Sequence, residues 1–273
     1  MPTSSTRLVV LDIDGTLLPP GAHHQDVPDA KITNAISVLM ANGVEVALAS
    51  GRMFPGTALI GKHLNLTLPL ICQQGASVHN LDGSVKCQLP LDSTIAHELV
   101  SFAQAEGLSY SWFDAQRYLI SEHTEASKYF AEVSGIALEL HNAPETSGIV
   151  PTGVDIISCP DQAPAIYDQL DARYGERVHL LDFKTVTVAH APEASKGKAV
   201  AALAANLGIA QADVLTIGDS VNDASMLLWA GHSAAPAHCD DYARAAAKEI
   251  LPGDGVDGVA QLLQTVATRV SAG

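Results

Sequence analysis

The stretch Leu8–Leu18, LVVLDIDGTLL, brings two carboxylates, Asp12 and Asp14, to the end of an apolar run. The run Leu8–Leu11 is continuous, as in a strand buried on both faces of a sheet, and such strands ordinarily stop in a turn without gathering like charges. The pattern recurs late in the chain, where DVLTIGDS (Asp213–Ser220) is a second apolar run that meets acid. Nearer the start, GVEVALAS (Gly43–Ser50) and LPLICQ (Leu68–Gln73) are further β-rich runs, separated by a segment with Ala58, Leu59 and Ile60 that reads as a short helix. Ile32, Ile36, Leu39 and Met40 recur at helical spacing, which predicts a helix over Val27–Ala41 that ends before Gly43. Strands alternating with helices imply a parallel sheet covered by helices on both faces, an α/β fold.

The middle of the chain reads differently. Leu91–Glu106 is helical in pattern, and LSYSWFD and QRYLISEH then follow as two β-rich runs with almost no spacer, an antiparallel hairpin. A second unit has the order strand, helix, strand, strand: GVDIISCP, DQAPAIYDQLDARYG, RVHLLDF and TVTVAHA. The Pro- and Gly-rich HNAPETSGIVPTG between the units reads as irregular. Residues 84–187 are therefore expected to be an α+β domain inserted into an α/β core made of 1–83 and 188–273. After the insertion, the Ala-rich helix of SKGKAVAALAANLG, the strand DVLTIGDS, helical DASMLLWAG, a small strand near SAAPA and helices around Tyr242–Lys248 and Val256–Val266 resume the alternation.

Composition bounds the function. The chain has 273 residues and is 47% hydrophobic, enough for packed cores. Its 15 Lys and Arg against 30 Asp and Glu leave a formal net charge of −15, which argues against nucleic acid as a partner and favours a solvated acidic surface. Cys72, Cys87, Cys159 and Cys239 lack C-x-x-C spacing, so neither a disulfide framework nor a zinc site is expected. MPTSSTR runs straight into the first strand, and no segment approaches the roughly 20 apolar residues of a membrane span, so the expected location is cytoplasmic and away from the membrane. No coiled coil or interface stripe fixes an oligomeric state.

In parallel sheets, ligands bind beyond the carboxyl ends of the strands. Those ends here read Asp12-Ile-Asp14-Gly15-Thr16, Ser50-Gly51-Arg52, Gln73-Gln74-Gly75 and Gly218-Asp219-Ser220-Val221-Asn222-Asp223. Crowded together, Asp12, Asp14, Asp219 and Asp223 repel one another unless a cation shares the site, and an all-oxygen set of hard ligands suits Mg²⁺. Each motif alone also has a structural reading: D-x-D-G-T as a capped turn, SKGK as a solvated helix start. Their joint appearance in order, each where an α/β sheet would place it, is what points to a site.

DIDGTLL, ASGR, SKGKA and GDSVNDASML resemble the four motifs of the haloacid dehalogenase-like (HAD) hydrolase superfamily, and the position of the insertion resembles its Cof-type phosphatases, which carry a large α/β cap. The resemblance covers nearly the whole chain and implies a Rossmann-like core with the cap over its active site. Many relatives have Asn-Gly-Ala where this chain has Gln74-Gly75-Ala76, so a substrate contact from Gln74 is a departure to examine. By this resemblance Asp12 is the nucleophile that forms an aspartyl-phosphate, and Asp14 protonates the leaving oxygen and later deprotonates water. Mg²⁺ is implied on Asp12, Asp219 and the backbone carbonyl of Asp14, with Asn222 and Asp223 supporting it. Ser50, Gly51 and Lys196 are the implied phosphate binders, with Lys198 a surface residue, Thr16 bonding locally and Arg52 bracing the site.

An acid at Asp14 favours a phosphate ester with a poor leaving group over dehalogenation. The implied activity is hydrolysis of a small phosphate monoester, a sugar phosphate or similar metabolite. A phosphomutase using the same intermediate and a non-catalytic phospholigand-binding regulator are the alternatives. The cap sets substrate choice, with Trp112, Asp114, Gln116, Arg117 and Tyr118 as hairpin candidates. Of these Arg117 is the one expected to touch substrate, while Trp112 and Tyr118 suit the cap's own packing. His23 and His24 read as linker, and Met226 and Trp229 as core.

Overall fold

In the computed structural model, which describes residues 6–23, 25–253 and 255–271, the two-sided burial expected of the opening run is resolved residue by residue. Strand β1 (Leu8–Leu11) sends Val9 and Leu11 into one apolar layer and Leu8 and Val10 into another. It is followed by α1 (Ala30–Ala41), β2 (Glu45–Leu48), α2 (Phe54–His63), β3 (Leu70–Cys72), β4 (Ser77–His79) and β5 (Val85–Gln88). The inserted region contributes α3 (Ser93–Ala105), β6 (Ser109–Phe113), β7 (Tyr118–Ile120), α4 (Glu125–Ser134), β8 (Leu138–Leu140), β9 (Gly153–Ile157), α5 (Ala163–Tyr174), β10 (His179–Phe183) and β11 (Val186–His190). The chain then closes with α6 (Lys196–Asn206), β12 (Val214–Ile217), α7 (Ala224–Trp229), β13 (His232–Ala235), α8 (Asp241–Ala246), β14 (Glu249–Ile250) and α9 (Asp257–Ser271).

The core sheet has the order β14-β13-β12-β1-β2, all parallel. A parallel bridge from Ala49 to Ile71 brings β3 alongside β2. Ile32, Ile36 and Leu39 of α1, Ile60 of α2 and Leu263 and Val266 of α9 cover one face, while Val200 and Ala204 of α6 and Met226 of α7 cover the other. The chain runs from β1 outward through β2 and later returns to β12 on the other side, so strand order reverses at β1, where such sheets open a crevice at their carboxyl ends.

The inserted region is a mixed sheet of order β10-β11-β9-β6-β7-β8. Its outer face, with Tyr110, Trp112, Val154 and Ile156, packs on α3 and α5 through Leu99, Ile166 and Leu170. Its inner face, with Phe113, Tyr118 and Ile120, meets Met53 of the core.

Some elements differ from the sequence reading for local reasons. The first helix starts at Ala30 because Pro28 precedes it and the Asp29 side chain accepts the Ile32 N–H at 2.9 Å. Helix α4, not anticipated, is set by a reciprocal Thr124–Ser127 cap and by Gly135 just past its end. The expected division at 83/84 lies in the turn joining β4 to β5, which pair through Val78 and Cys87. The division at 187/188 lies inside β11, which pairs along its length with β9 and β10. All four cysteines are free. Among the described residues no helix is long and apolar enough to cross a membrane.

One backbone approach ties the loop after β3 to the start of α6. Gly75 has φ +95°, and a Cβ there would lie 2.5 Å from the Ser195 carbonyl oxygen. Gly107 also has positive φ, but a Cβ there would meet nothing within 4 Å. Gly107→Ala is expected to cost about 1 kcal/mol of backbone strain, and Gly75→Ala about 3 kcal/mol or more, with strain and clash together. Urea unfolding of both variants checks the difference; equal losses would mean that the Gly75 contact relaxes freely.

Candidate active site

The parallel register pairs Leu11 with both Leu48 and Ile217, so Asp12 stands level with Ala49 and Gly218 at one edge of the sheet. Asp12 is 4% exposed, and Lys196, with no exposed surface, donates to it and to Asp223 at 2.6 Å each. Asp12, Asp219 and Asp223 each bring a carboxylate oxygen within 4.8 Å of the others. The second Asp223 oxygen accepts the backbone N–H groups of Asp219 and Ser220 at 2.9 and 3.1 Å, fixing the acidic loop on itself.

Electrostatics follow from this crowding. Burial, and then the neighbouring Asp223, hold the Asp12 carboxyl well above the usual carboxylate range despite the contact with Lys196. Asp219 is pushed up by burial and then by Asp12 and Asp223. Burial alone would lower the Lys196 ammonium, but its attraction to Asp12 and Asp223 outweighs this, and the net shift is upward. One ammonium therefore compensates three clustered carboxylates incompletely. A hard divalent cation is what this oxygen set fits, with Asp12, Asp219 and Asp223 placed to hold it.

Asp14 stands apart from that cluster. Its carboxylate is gripped at two points by Arg52, from Nε at 2.8 Å and Nη2 at 2.5 Å. Arg52 is 2% exposed, and its Nη1 has no partner among the described residues. Ser50 is fully buried with its hydroxyl accepting the Arg52 backbone N–H at 3.1 Å, while Gly51 lines the cleft. A Cβ on Gly51 would lie 2.4 Å from the Gln74 side-chain nitrogen, so a larger residue there would displace that amide. Gln74 also lines the cleft, in the left-handed conformation at φ 60°, and accepts the Asn222 amide at 2.7 Å.

The contacts revise some of the other expectations and agree with others. Thr16 bonds locally only through its backbone, whose N–H donates to the Ile13 carbonyl at 3.3 Å; its hydroxyl donates to Asp219 at 3.1 Å across the sheet edge. Lys198 is exposed and donates to the Pro192 carbonyl. Arg117 is exposed and held by Glu139, from Nη2 at 2.6 Å and Nε at 3.0 Å, and it is not among the residues lining the cleft. The physical reason is β8, which was not anticipated and which brings Glu139 beside β7. Asp114 and Gln116 belong to the turn itself, where the Asp114 carboxylate accepts the backbone N–H groups of Gln116 and Arg117. Trp112 packs in the outer core of the inserted domain, but Tyr118 lines the cleft. His23 bridges to Glu132 of α4 at 3.2 Å, and His24 lies outside the described residues.

The cleft between the two domains has a volume of about 510 Å³ and is also lined by Tyr129, Phe130, Val188, His190 and Asp240. Sequence reasoning missed several groups here. Gln73 donates to the Asp114 carbonyl at 2.6 Å and accepts from Thr152 at 3.1 Å, joining the domains. His238 contacts the Gly15 carbonyl at 2.8 Å, and Asp240 accepts the Val221 N–H at 2.7 Å. Gln73 stands at a quoted strand end, but its partners leave no mark there, and His238 and Asp240 lie outside the quoted motifs; for Asp240 an N-cap signal before a helix was the one legible clue.

Comparison with known proteins matches this arrangement to a family. Residues 9–263 fit the haloacid dehalogenase-like hydrolase family, and the chain belongs to it. It is 29% identical over 243 residues to the protein YxeH of Bacillus subtilis (strain 168), covering 85% of this chain and 87% of that one. It is 23% identical over 286 residues to Phosphatase YwpJ of the same organism, covering 94% and 99% of the two chains. A haloacid dehalogenase-like hydrolase from Bacteroides thetaiotaomicron shares the fold with a TM-score of 0.80 at 20% identity, over 95% of this chain and 99% of that one. A sugar phosphatase of HAD subclass IIB shares it at 0.78 and 15% identity, over 95% and 98%. The chain is a hydrolase of phosphate esters built on a parallel-sheet core with an additional cap sheet.

His190 reports on the integrity of this interface. It is 1% exposed, with Nδ1 at 2.8 Å from the Thr152 carbonyl oxygen, and burial pushes the ring down to about 4 from 6.5. Because the folded value lies below the unfolded one, the neutral ring contributes stability that is fully present above about pH 6.5 and is lost as pH falls through about 4. The limiting loss is on the order of 3 kcal/mol. Asp155, pushed up to about 6 by burial, has the opposite sign: its contribution is present below about pH 4 and is lost as pH rises through 6. His190→Gln is therefore expected to narrow its stability deficit against wild type between pH 7 and pH 4.5 in urea unfolding; a constant deficit would assign His190 no such role.

Proposed function

We propose that this protein is a Mg²⁺-dependent phosphatase of small phosphate monoesters, with sugar phosphates the leading class, working through an aspartyl-phosphate on Asp12. The observation that carries this is the group of buried Asp12, Asp223 and Lys196 with half-buried Asp219, which reaches the cleft at Asp12 beside Asp14 in the grip of Arg52. Sugar phosphates lead because the resembling family often handles them and one structural relative is a sugar phosphatase.

An Asp12 oxygen attacks phosphorus, and the bond from phosphorus to the leaving oxygen breaks as Asp14 gives that oxygen a proton. Water then attacks the same phosphorus, Asp14 takes its proton, and the bond from phosphorus to Asp12 breaks to release phosphate. Arg52 fixes the direction of the Asp14 carboxyl through both transfers, and Lys196 holds the attacking carboxylate in place. Gly51, at the cleft surface, is placed to offer its backbone N–H to a phosphoryl oxygen, with Ser50 beneath it shaping the turn. Asn222 orients Gln74 and supports the acidic loop. Mg²⁺, held by Asp12, Asp219 and the backbone carbonyl of Asp14 with Asp223 in support, would supply charge neutralisation for an anionic nucleophile meeting an anionic substrate.

Phosphate release from a panel of sugar phosphates, nucleotides and pyridoxal phosphate, with Mg²⁺ or with chelator, tests the reading. Asp12→Asn is expected to lower kcat by about a thousandfold or more, and Asp14→Asn by about a hundred- to ten-thousandfold. Phosphate release that persists in Asp12→Asn would sink the covalent route.

A separate measurement needs no turnover. Lys196→Met leaves Asp12 and Asp223 buried without their ammonium, which is expected to cost about 3–5 kcal/mol in chelator. Added Mg²⁺ should restore part of that loss in thermal unfolding. A variant indifferent to Mg²⁺ would argue against a cation on these carboxylates.

A further inference from the structure

The wall of the cleft facing the charged floor is one face of the inserted sheet. Cross-strand pairing places Asp155 of β9 beside Ser111 of β6 and Val188 of β11, and all of Phe113, Tyr118, Val188 and Asp155 line the cleft. Asp155 is 5% exposed. Its Oδ2 accepts from the Tyr118 hydroxyl at 2.6 Å and from the Ser111 hydroxyl at 2.8 Å. Its Oδ1 has no hydrogen-bond partner among the described residues, and none of their ion pairs includes Asp155.

A carboxylate set among aromatic and aliphatic side chains with no cation is costly to keep. Two hydroxyls satisfy one of its oxygens, and a neutral asparagine would serve both of them at lower cost. Packing of the inserted domain therefore does not account for a charged group here. Its open oxygen does have a use, because a carboxylate accepts a charge-assisted hydrogen bond more strongly than a neutral oxygen does. A sugar or polyol presents hydroxyls at its rim and C–H groups on its faces, which matches one carboxylate oxygen surrounded by aromatic surface.

We propose that Asp155 is a specificity-determining residue: its free oxygen accepts a hydrogen bond from a hydroxyl of the leaving group, whose apolar face lies against Tyr118 and Phe130. This assignment rests on the phosphatase reading above and names the part of the substrate that the inserted domain recognises. It places no demand on the charged floor, which treats every phosphate monoester alike.

The test compares wild type and Asp155→Asn on a panel of three- to six-carbon sugar and polyol phosphates and on p-nitrophenyl phosphate, which carries no hydroxyl donor on its leaving group. The ratio of kcat/KM for the best polyol phosphate to that for p-nitrophenyl phosphate is expected to fall ten- to a hundredfold in the variant, with most of the change in KM. An unchanged ratio, whether both activities persist or both fall together, would overturn the assignment and leave Asp155 a packing residue. A loss confined to phosphates bearing an ammonium would overturn the hydroxyl in favour of a cation. Wild type that turns over p-nitrophenyl phosphate but no polyol phosphate would also overturn it while the phosphatase reading stands, whereas wild type inactive on every compound with Mg²⁺ would sink both.

Discussion

Asp12, Asp219 and Asp223 share one buried volume with the single ammonium of Lys196, and the arrangement of the core serves to keep them there. Left to themselves, three carboxylates with oxygens within 4.8 Å of one another would separate or take up protons. Parallel pairing of β1 with β12 prevents separation by locking Asp12 beside the loop that carries the other two. Backbone N–H groups of Asp219 and Ser220 hold Asp223 from its own loop, through the oxygen that Lys196 does not contact. Lys196 in turn is positioned as the first residue of α6, whose start is seated on Gly75. Each tie shortens the motion available to the charges, and the unrelieved repulsion makes the site ready for a cation and an anionic substrate together.

The inserted domain is joined to this floor by polar contacts as well as apolar packing. Gln73 spans the two domains through both ends of its amide, and the Met53 backbone N–H donates to the Ser134 hydroxyl at 3.1 Å. Met53 also lies in the same apolar cluster as Phe113 and Tyr118. Gln73, Phe113 and Tyr118 also line the cleft, so the contacts that join the domains border it. Gln73 makes these contacts from a left-handed backbone at φ 48°, an uncommon conformation for a residue with a side chain.

Periodicity made the core legible, since Leu8–Leu11 is apolar on both sides and only a strand with a layer on each face accepts that. The residues at strand ends were legible for the same reason: parallel register brings distant motifs to one edge, so Asp12, Ser50 and Asp219 could be assembled without coordinates. Helix α4 and strand β8 were less so, because Glu125–Leu140 mixes short apolar runs with charges and its signals are the caps at Thr124 and Gly135 rather than a strong stripe. That omission had a consequence for Arg117, whose carboxylate partner Glu139 sits on the unseen strand. Long-range contacts such as those of Gln73 across the domains and Thr16 across the core sheet edge leave no local trace, since their partners are tens to hundreds of residues away.

The floor and the wall of the cleft differ in the physical means by which they act. In the proposed mechanism, charge on the floor recognises phosphorus and its oxygens, features common to all monoesters, and so carries no information about the rest of the molecule. Discrimination must come from groups that meet the leaving part, and a purely apolar wall would separate substrates only by size, about tenfold to a few hundredfold per methylene-sized difference. A buried carboxylate changes that limit, because a leaving group lacking a donor leaves the charge desolvated and unpaired. The same burial that makes Asp155 costly in the empty protein therefore makes its pairing selective when the cleft is filled.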